Sequence, residues 1–453
     1  MSPKLQPVRG THDILPDDFE KFHAVVTRAR ELATLYGFRE MATPIFEMTE
    51  VFARSMGETS DVVSKEMFTF QTKGEESVTL RPEFTAGNVR AFISNGMQQH
   101  LPLKLFSTGP VFRYERPQKG RQRQFHQVNY EWLGDASPEA DVEMILLAGH
   151  LLYYLSGRKA CTLLINTLGD QESRIRYRDT LVNYLTPFAN ELSEDSKRRL
   201  AANPLRILDS KDEGDRKILE NAPKITDCLG DAAQERFAAL HGALTQPDIP
   251  FFQEVRIEPS LVRGLDYYTD TVFEFVANTG ELGAQNTVLA GGRYDGLVEQ
   301  MGGAPTPAIG FAAGVERLLL LMPQETWVNI PDTKIMFLPS EDAPKGQVHS
   351  IATMIRNIIA AFSRKNKVKG HCSVEILWQG SHKKRMERAD KRGATHVITL
   401  SKEDIERRVY NLKNMRTGTV QQVNSSDIAN PEKLIEIFNI TELDPGLRRD
   451  DKA

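Results

Sequence analysis

At 453 residues, with 57 Lys+Arg, 61 Asp+Glu and 40% hydrophobic content, the chain is too long for one hydrophobic core and too apolar to be disordered, so two or three domains are expected. No apolar run reaches the ~18 residues that a membrane-spanning helix needs, and the opening MSPKLQPVRG lacks the apolar centre of a signal peptide. Cys161, Cys228 and Cys372 are too scattered for a disulfide framework or a zinc site, so a reducing, cytoplasmic location with no metal-ligating set is expected.

In chain order, the spacing of Phe19, Phe22, Val25, Val26, Ala29 and Leu32 predicts a helix over 17–35, stopped at Gly37. Strand formers follow at 78–80, 104–114 and 124–133, then a helical stretch at 140–155. From about 170 to 250, charged helical patterns dominate and predict a helical insertion. Strands return at 254–257, 271–276 and 287–290, with a helix after Gly314. Residues 323–331, bounded by two prolines, suit a linker. Beyond it, strands at 334–338, 374–377 and 396–400 alternate with helices at 348–362 and 383–392. This βαβαβ rhythm predicts a small, parallel-type α/β domain. The polar tail, 441–453, is expected to fray.

Charge is unevenly placed. Residues 334–439 carry 19 Lys+Arg against 11 Asp+Glu, a net of +8, which leaves −12 for the rest of a chain whose total is −4. A basic unit on an acidic body suggests either a local polyanion contact or a solvated basic face.

The segment 108–134, TGPVFRYERPQKGRQRQFHQVNYEWLG, reads as two strands joined by a loop with four basic residues and no acidic one. Alternation puts Val111, Arg113 and Glu115 on one face of the first strand, and Phe125, Gln127, Asn129 and Glu131 on one face of the second. An arginine suits a phosphate, and carboxylates suit an amine or imidazole. A solvent-facing polar hairpin has the same alternation. In LVRGLDYYTDTVFEF, residues 261–275, Arg263 beside Gly264 has room to approach a phosphate, and Tyr267 and Tyr268 offer hydroxyls. Core tyrosines at a strand entrance fit that string as well.

The run RYERPQKGRQRQFHQ is similar to the motif 2 loop of the histidyl-tRNA synthetase family, within the class II aminoacyl-tRNA synthetases. The resemblance implies that Arg113 and Glu115 bind ATP, with Arg113 on the α-phosphate, and that Phe125 stacks on adenine. It implies that Gln127 and Glu131 hold the substrate histidine, with Glu131 on the imidazole. Arg116, Gln118, Arg121 and Arg123 would face the tRNA acceptor end. Residues 261–275 resemble the signature peptide of the same family. There Arg263 contacts the α-phosphate and the histidine carboxylate, Tyr267 lines the pocket and Tyr268 bonds the imidazole.

Other peptides extend the resemblance from Val8 to about Phe438. TLRPEFT, 79–85, is similar to the peptide that cradles the histidine amino group, so Glu83 would pair with the ammonium and Thr85 would assist; better-known members of the family have glycine where Phe84 stands. AGGRYDG, 290–296, resembles a peptide lining the histidine pocket. AIGFAAGVERLLLLM, 308–322, resembles motif 3 and would place Arg317 on adenine and the terminal phosphate. YGFREMATPIFE, 36–47, resembles motif 1, which implies a homodimer. RGTHDILP resembles the family's opening peptide, and NPLRILDSK, 203–211, recurs in family insertions. GSHKKRMERADKRG, 380–393, carries Lys383, Lys384, Arg385, Arg388 and Lys391 and resembles part of the anticodon-binding domain.

The implied fold is an α/β chain in three parts. Residues 1–325 form a class II catalytic domain, an α+β domain with an antiparallel sheet flanked by helices and a helical insertion at about 170–250. Residues 326–440 form an α/β anticodon-binding domain with a mixed sheet, followed by the tail 441–453. The implied activity ligates L-histidine to the 3′ end of histidine tRNA. ATP is a substrate accompanied by Mg²⁺, histidyl-adenylate is the intermediate, and pyrophosphate is released. A regulatory paralogue and a tRNA-sensing module of the same fold are the competing expectations.

Overall fold

The computed structural model describes residues 5–57, 62–118, 120–157, 159–262, 267–278, 286–322, 333–364 and 372–440. The expected linker 323–331, the tail 441–453 and Arg263 lie outside these residues. The chain divides into two compact units, Met1–Trp327 and Val328–Ala453.

The apolar stripe of the first unit forms α1, Pro16–Leu35, closed by Gly37 at φ 79°. Short strands β1, Arg39–Glu40, and β2, Phe46–Met48, lead into α2, Thr49–Met56. Then come β3, Phe68–Gln71, β4, Ser77–Leu80, and α3, Thr85–Ser94. The hairpin is β5, Leu103–Phe112, and β6, Gln124–Leu133. β5 stops two residues short of the expected end, so Arg113 and Glu115 stand on the loop. The helix α4, Pro138–Ser156, follows, then β7, Cys161–Thr167.

The insertion is helical, as its composition implies: α5, Gln171–Leu185, α6, Glu194–Ala202, α7, Glu213–Leu219, and α8, Asp231–Leu244. Asp170, Ser193 and Asp212 cap α5, α6 and α7 by accepting from the first free amides. Strands β8, Val255–Ile257, β9, Thr269–Ala277, and β10, Thr287–Arg293, precede α9, Leu297–Gln300, β11, Ala308–Gly314, and α10, Val315–Leu321.

Eight of these strands form one sheet in the order β1-β5-β6-β11-β10-β9-β7-β8. It is antiparallel from β5 to β7, with a parallel pair at each edge. One face packs on α1, α4 and α10, with Val128, Tyr130, Phe273 and Phe311 in the core. Each fully buried ring of this kind contributes roughly 1.5–3 kcal/mol. The other face is covered at one end by α2, α3 and the insertion, through Phe52, Val89, Phe92, Tyr177 and Ile207. At its other end this face stays polar and concave. β7 and β11 carry no strand expectation in the sequence. β11, AIGFAAG, is built of residues with weak strand preference and is held by its neighbours on both sides.

The second unit contains β12, Thr333–Pro339, α11, Lys345–Arg364, β13, Cys372–Ile376, α12, His382–Lys391, and β14, His396–Leu400. The helix α13, Lys402–Arg407, the strands β15, Val409–Asn414, and β16, Val420–Asn424, and the helices α14, Ser425–Ala429, and α15, Pro431–Ile437, complete it. The sheet order is β13-β12-β14-β15-β16. The first three strands run parallel, as the βαβαβ rhythm implies, while β15 and β16 add antiparallel pairs, so the sheet is mixed rather than parallel throughout. One of the five cations expected on the basic helix is structural. Arg385 is buried in α12 and donates to the Pro339 and Leu377 carbonyls.

Candidate active site

The polar face of the large sheet holds a cleft of about 460 Å³. Strand alternation explains its chemistry. On β6, Val128 and Tyr130 point into the helix-covered core, so Gln127, Asn129 and Glu131 point the other way.

At one end are carboxylates. Glu83 sits at the turn into α3 and accepts from the Thr85 amide at 2.5 Å and the Ala86 amide at 2.8 Å. Burial pushes its carboxyl up, opposed by those amides and by the Arg113 charge. Glu131 is 1% exposed and stands one layer behind the cleft surface. It accepts from Thr85 Oγ1 at 2.5 Å, from Asn129 Nδ2 at 2.9 Å and from the Tyr294 hydroxyl. Thr85, Asn129 and Tyr294 themselves line the cleft. Tyr267 packs 4.7 Å from Tyr268 and 5.7 Å from Tyr294, ring centre to ring centre. Burial pushes the Tyr267 and Tyr294 phenols well up, so both remain O–H donors. Gln127 is buried, and among the described residues its Oε1 has no hydrogen-bond partner. A buried acceptor in that state is suited to a ligand donor.

The register pairs Glu131 with Gly310 across β6 and β11. A Cβ at Gly310 falls on Glu131 Oε2 and lies 2.7 Å from the Tyr130 carbonyl oxygen. Only glycine leaves room for the carboxylate. Gly310→Ala is expected to cost roughly 1–3 kcal/mol of stability through overpacking. An unchanged denaturation midpoint would place Glu131 elsewhere.

Burial pushes the Glu131 carboxyl up to about 7, against the pull of its three donors. An unfolded glutamate titrates near ~4.3. The folded state therefore binds the proton more tightly, so this group's contribution is full below pH ~4.3 and is lost as pH rises through about 7. The substrate-free protein should lose up to roughly 3 kcal/mol from this group between pH 4 and 9. Thermal melts of wild type and Glu131→Gln across pH 4–8 test this, and a wild-type slope matched by the variant's would refute it.

Arginines gather at the other end. Arg113 donates from Nε to the Pro82 carbonyl at 3.0 Å, and its guanidinium lies 5.5 Å from the Phe125 ring centre. Arg121 pairs with Glu115 at 2.7 Å. Arg317 donates to the Gly120 carbonyl at 3.1 Å and to the Thr287 carbonyl at 2.6 Å. Burial holds its pKa below the usual guanidinium value, and the Arg121 and Arg113 charges add to this. Three cations sharing one cleft repel each other, and an anionic ligand relieves that repulsion. Glu316 accepts from the His126 amide at 3.0 and 3.1 Å and lies 2.9 Å from His126 Nδ1. That clamp ties α10 to β6 and so places Arg317 relative to Phe125 and Gln127.

Glu83, Thr85, Arg113, Glu115, Arg121, Phe125, Gln127, Tyr267, Tyr268 and Arg317 all line this one cleft. Arg116 and Gln118 are exposed on the hairpin loop. Arg123 instead lies over the Tyr114 ring at 3.9 Å. Arg121, expected with the outward set, turns into the cleft. In AGGRYDG, Ala290 and Tyr294 reach the cleft, whereas Arg293 is buried on Asp141 and Asp295. Phe84 packs 4.2 Å from the Arg81 guanidinium, away from the cleft, so the bulk at this position does not fill it. Asn129, Tyr294, Glu274, Asn286 and Lys211 line the cleft without having been singled out as site residues. Glu274 had a legible signal, a charge interrupting the apolar run of β9. The only signal for Lys211 was its place at the end of NPLRILDSK, which did not show that the insertion reaches the cleft.

A profile described as histidyl-tRNA synthetase matches residues 10–318. The histidine–tRNA ligase of Gluconobacter oxydans is 47% identical over 94% of this chain and 97% of its own length. That of Rhodospirillum rubrum is 50% identical over 88% and 92%. Among solved structures, apo S. aureus histidyl-tRNA synthetase superposes with a TM-score of 0.74 at 33% identity, covering 96% of this chain and 100% of that one.

Proposed function

This chain belongs to the histidyl-tRNA synthetase family, and from that premise we propose how its own residues divide the work. The enzyme charges tRNA with histidine through an aminoacyl-adenylate, with ATP as substrate. The histidine carboxylate attacks the α-phosphorus of ATP and pyrophosphate leaves. The 3′-hydroxyl of the terminal tRNA ribose then attacks the acyl carbon and AMP leaves.

The observation that carries the residue assignment is a single cleft with buried carboxylates at one end and three arginines at the other. Histidine lies at the carboxylate end. Glu83 takes its ammonium with help from Thr85. Glu131 holds the imidazole through the polar floor it organises with Tyr294, and Gln127, Tyr267 and Tyr268 close the pocket. ATP lies at the arginine end, with adenine on Phe125 and between Arg317 and Glu115. Arg113 and Arg263 stabilise the negative charge that develops at the α-phosphorus. No side-chain nucleophile is required, so the acceleration comes from positioning and charge. Glu115 and Glu274 supply carboxylate oxygens on the cleft wall, a donor type that suits Mg²⁺. When bound, Mg²⁺ would neutralise phosphate charge.

Arg116, Gln118, Arg121 and Arg123 form the hairpin's contribution to the tRNA acceptor end, with Arg121 also facing the cleft. The second unit, with its excess of cations, is the anticodon-binding domain. Ile45, Phe46, Met48 and Phe70 are exposed on and beside the small sheet β2-β4-β3, which supports burial against a second copy in a homodimer. Among the described residues no helix is long and apolar enough to cross a membrane, and a cytoplasmic site of action is proposed.

Histidine-dependent ATP–pyrophosphate exchange, followed by charging of histidine tRNA, tests the reading. Exchange is expected with histidine and not with the other amino acids. Exchange indifferent to the amino acid would sink the assignment.

A further inference from the structure

The peptide NPLRILDSK has no role in the chemistry above, yet it ends in a residue that reaches the cleft. A second cavity, about 720 Å³, adjoins the first, and Arg113, Glu115, Arg121, Asp209 and Lys211 line both. The hairpin supplies the first three residues and the insertion supplies the last two.

The protein holds this part of the insertion firmly. Asp215, fully buried in α7, accepts from the Ser193 amide at 2.9 Å and the Ser193 hydroxyl at 2.8 Å. It also accepts from the Ser196 hydroxyl at 2.6 Å and the Ser210 hydroxyl at 2.5 Å. Burial works against its charge, but these donors together hold its carboxyl below the usual range. Ser210 thus joins the start of α6 to the body of α7, and Arg216 Nε donates to its carbonyl at 3.3 Å. Lys211 is the next residue.

Lys211 contrasts with the other cations of the cleft. Arg113, Arg121 and Arg317 each bond a protein oxygen. Lys211 is exposed and has no hydrogen bond or ion pair among the described residues. The neighbouring Asp212 does not neutralise it, since Asp212 is committed to the Gly214 and Asp215 amides at 2.8 and 3.1 Å. Asp209 shares the cavity wall with it. An uncommitted ammonium on a well-held stretch of backbone, lining the junction of two cavities with Arg113 and Arg121, meets the chemistry of a phosphate oxygen.

We propose that Lys211 binds a substrate phosphate at the junction of the two cavities, presented there by the Ser210 that Asp215 holds. The inference rests on the synthetase reading. The phosphate belongs either to the ATP tail or to the 3′ end of the tRNA, and the two arms of one experiment separate these sources. Lys211→Ala and Lys211→Arg are compared with wild type in ATP–pyrophosphate exchange with ATP varied, and in charging with tRNA varied. A roughly 10- to 100-fold loss of kcat/KM is expected for Lys211→Ala, most of it recovered by Lys211→Arg, with the histidine KM unchanged. A loss already present in exchange assigns the ATP tail. A loss confined to charging assigns the tRNA phosphate. Wild-type kinetics for Lys211→Ala in both arms overturn the proposal, as does a Lys211→Arg variant as impaired as Lys211→Ala. Wild-type protein inactive in exchange would instead overturn the synthetase reading.

Discussion

Glu131→Ala is expected to raise the KM for histidine by roughly 100-fold or more and to leave the KM for ATP within a few-fold. The carboxylate accepts from Thr85, Asn129 and Tyr294 together, so its removal takes the acceptor from the Thr85 and Tyr294 hydroxyls and leaves Asn129 Nδ2 only its 3.4 Å bond to the Phe311 carbonyl. Each such loss costs roughly 1–3 kcal/mol, and every 1.4 kcal/mol is about tenfold in affinity. The damage stays at the carboxylate end because the arginine end is anchored separately, through Pro82, Gly120 and Thr287. Steady-state exchange kinetics with each substrate varied in turn measure the split. Equal effects on the two KM values would defeat the imidazole assignment. The same geometry explains rejection of other amino acids. A site whose polar floor must be paired discriminates by a factor of order ~10⁴ against a substrate that cannot pair it.

The second large effect concerns rate. Arg113→Ala is expected to slow adenylate formation by roughly 10²–10³, the usual loss when one donor to a developing charge is removed. Histidine binding should remain measurable, since Arg113 bonds the Pro82 carbonyl and approaches Phe125 rather than any residue of the Glu131 network. Arg263→Ala should behave alike, because both arginines are assigned to the α-phosphate. Single-turnover adenylate formation, with histidine binding followed in parallel, separates the two steps. Normal exchange in either variant would remove that arginine from the mechanism.

These expectations start from patterns that were legible along the chain, and their limits are equally physical. The alternation in QFHQVNYEWL marked which residues of β6 share a face, because side-chain direction on a strand depends only on local parity. It could not say which face is the cleft; α1, α4 and α10 decided that by covering the other one. Among the loop cations, Arg121 and Arg123 look equivalent in sequence. Glu115 draws one into the cleft and Tyr114 stacks on the other, and neither contact has a sequence signature. Arg385 looked like one more exposed charge on a basic helix until β12 and α12 closed around it.

By itself, the sequence determined the helices α1, α4, α10, α11 and α12, the β6 strand, the helical character of the insertion and the residue types available to the chemistry. All of these follow from periodicity, capping or composition within about 20 neighbouring residues. Tertiary structure alone decided that β11 is a strand, since its small residues become one only between β6 and β10. It also decided the chemistry of Glu131. The Tyr294 hydroxyl that bonds this carboxylate comes from 163 residues away, and the Gly310 that makes room for it lies on the neighbouring strand β11. The insertion's Lys211 reaches the cleft in the same way. Burial and hydrogen-bond partners set how a charged group behaves, and both are properties of what the chain brings together rather than of what stands beside it in sequence.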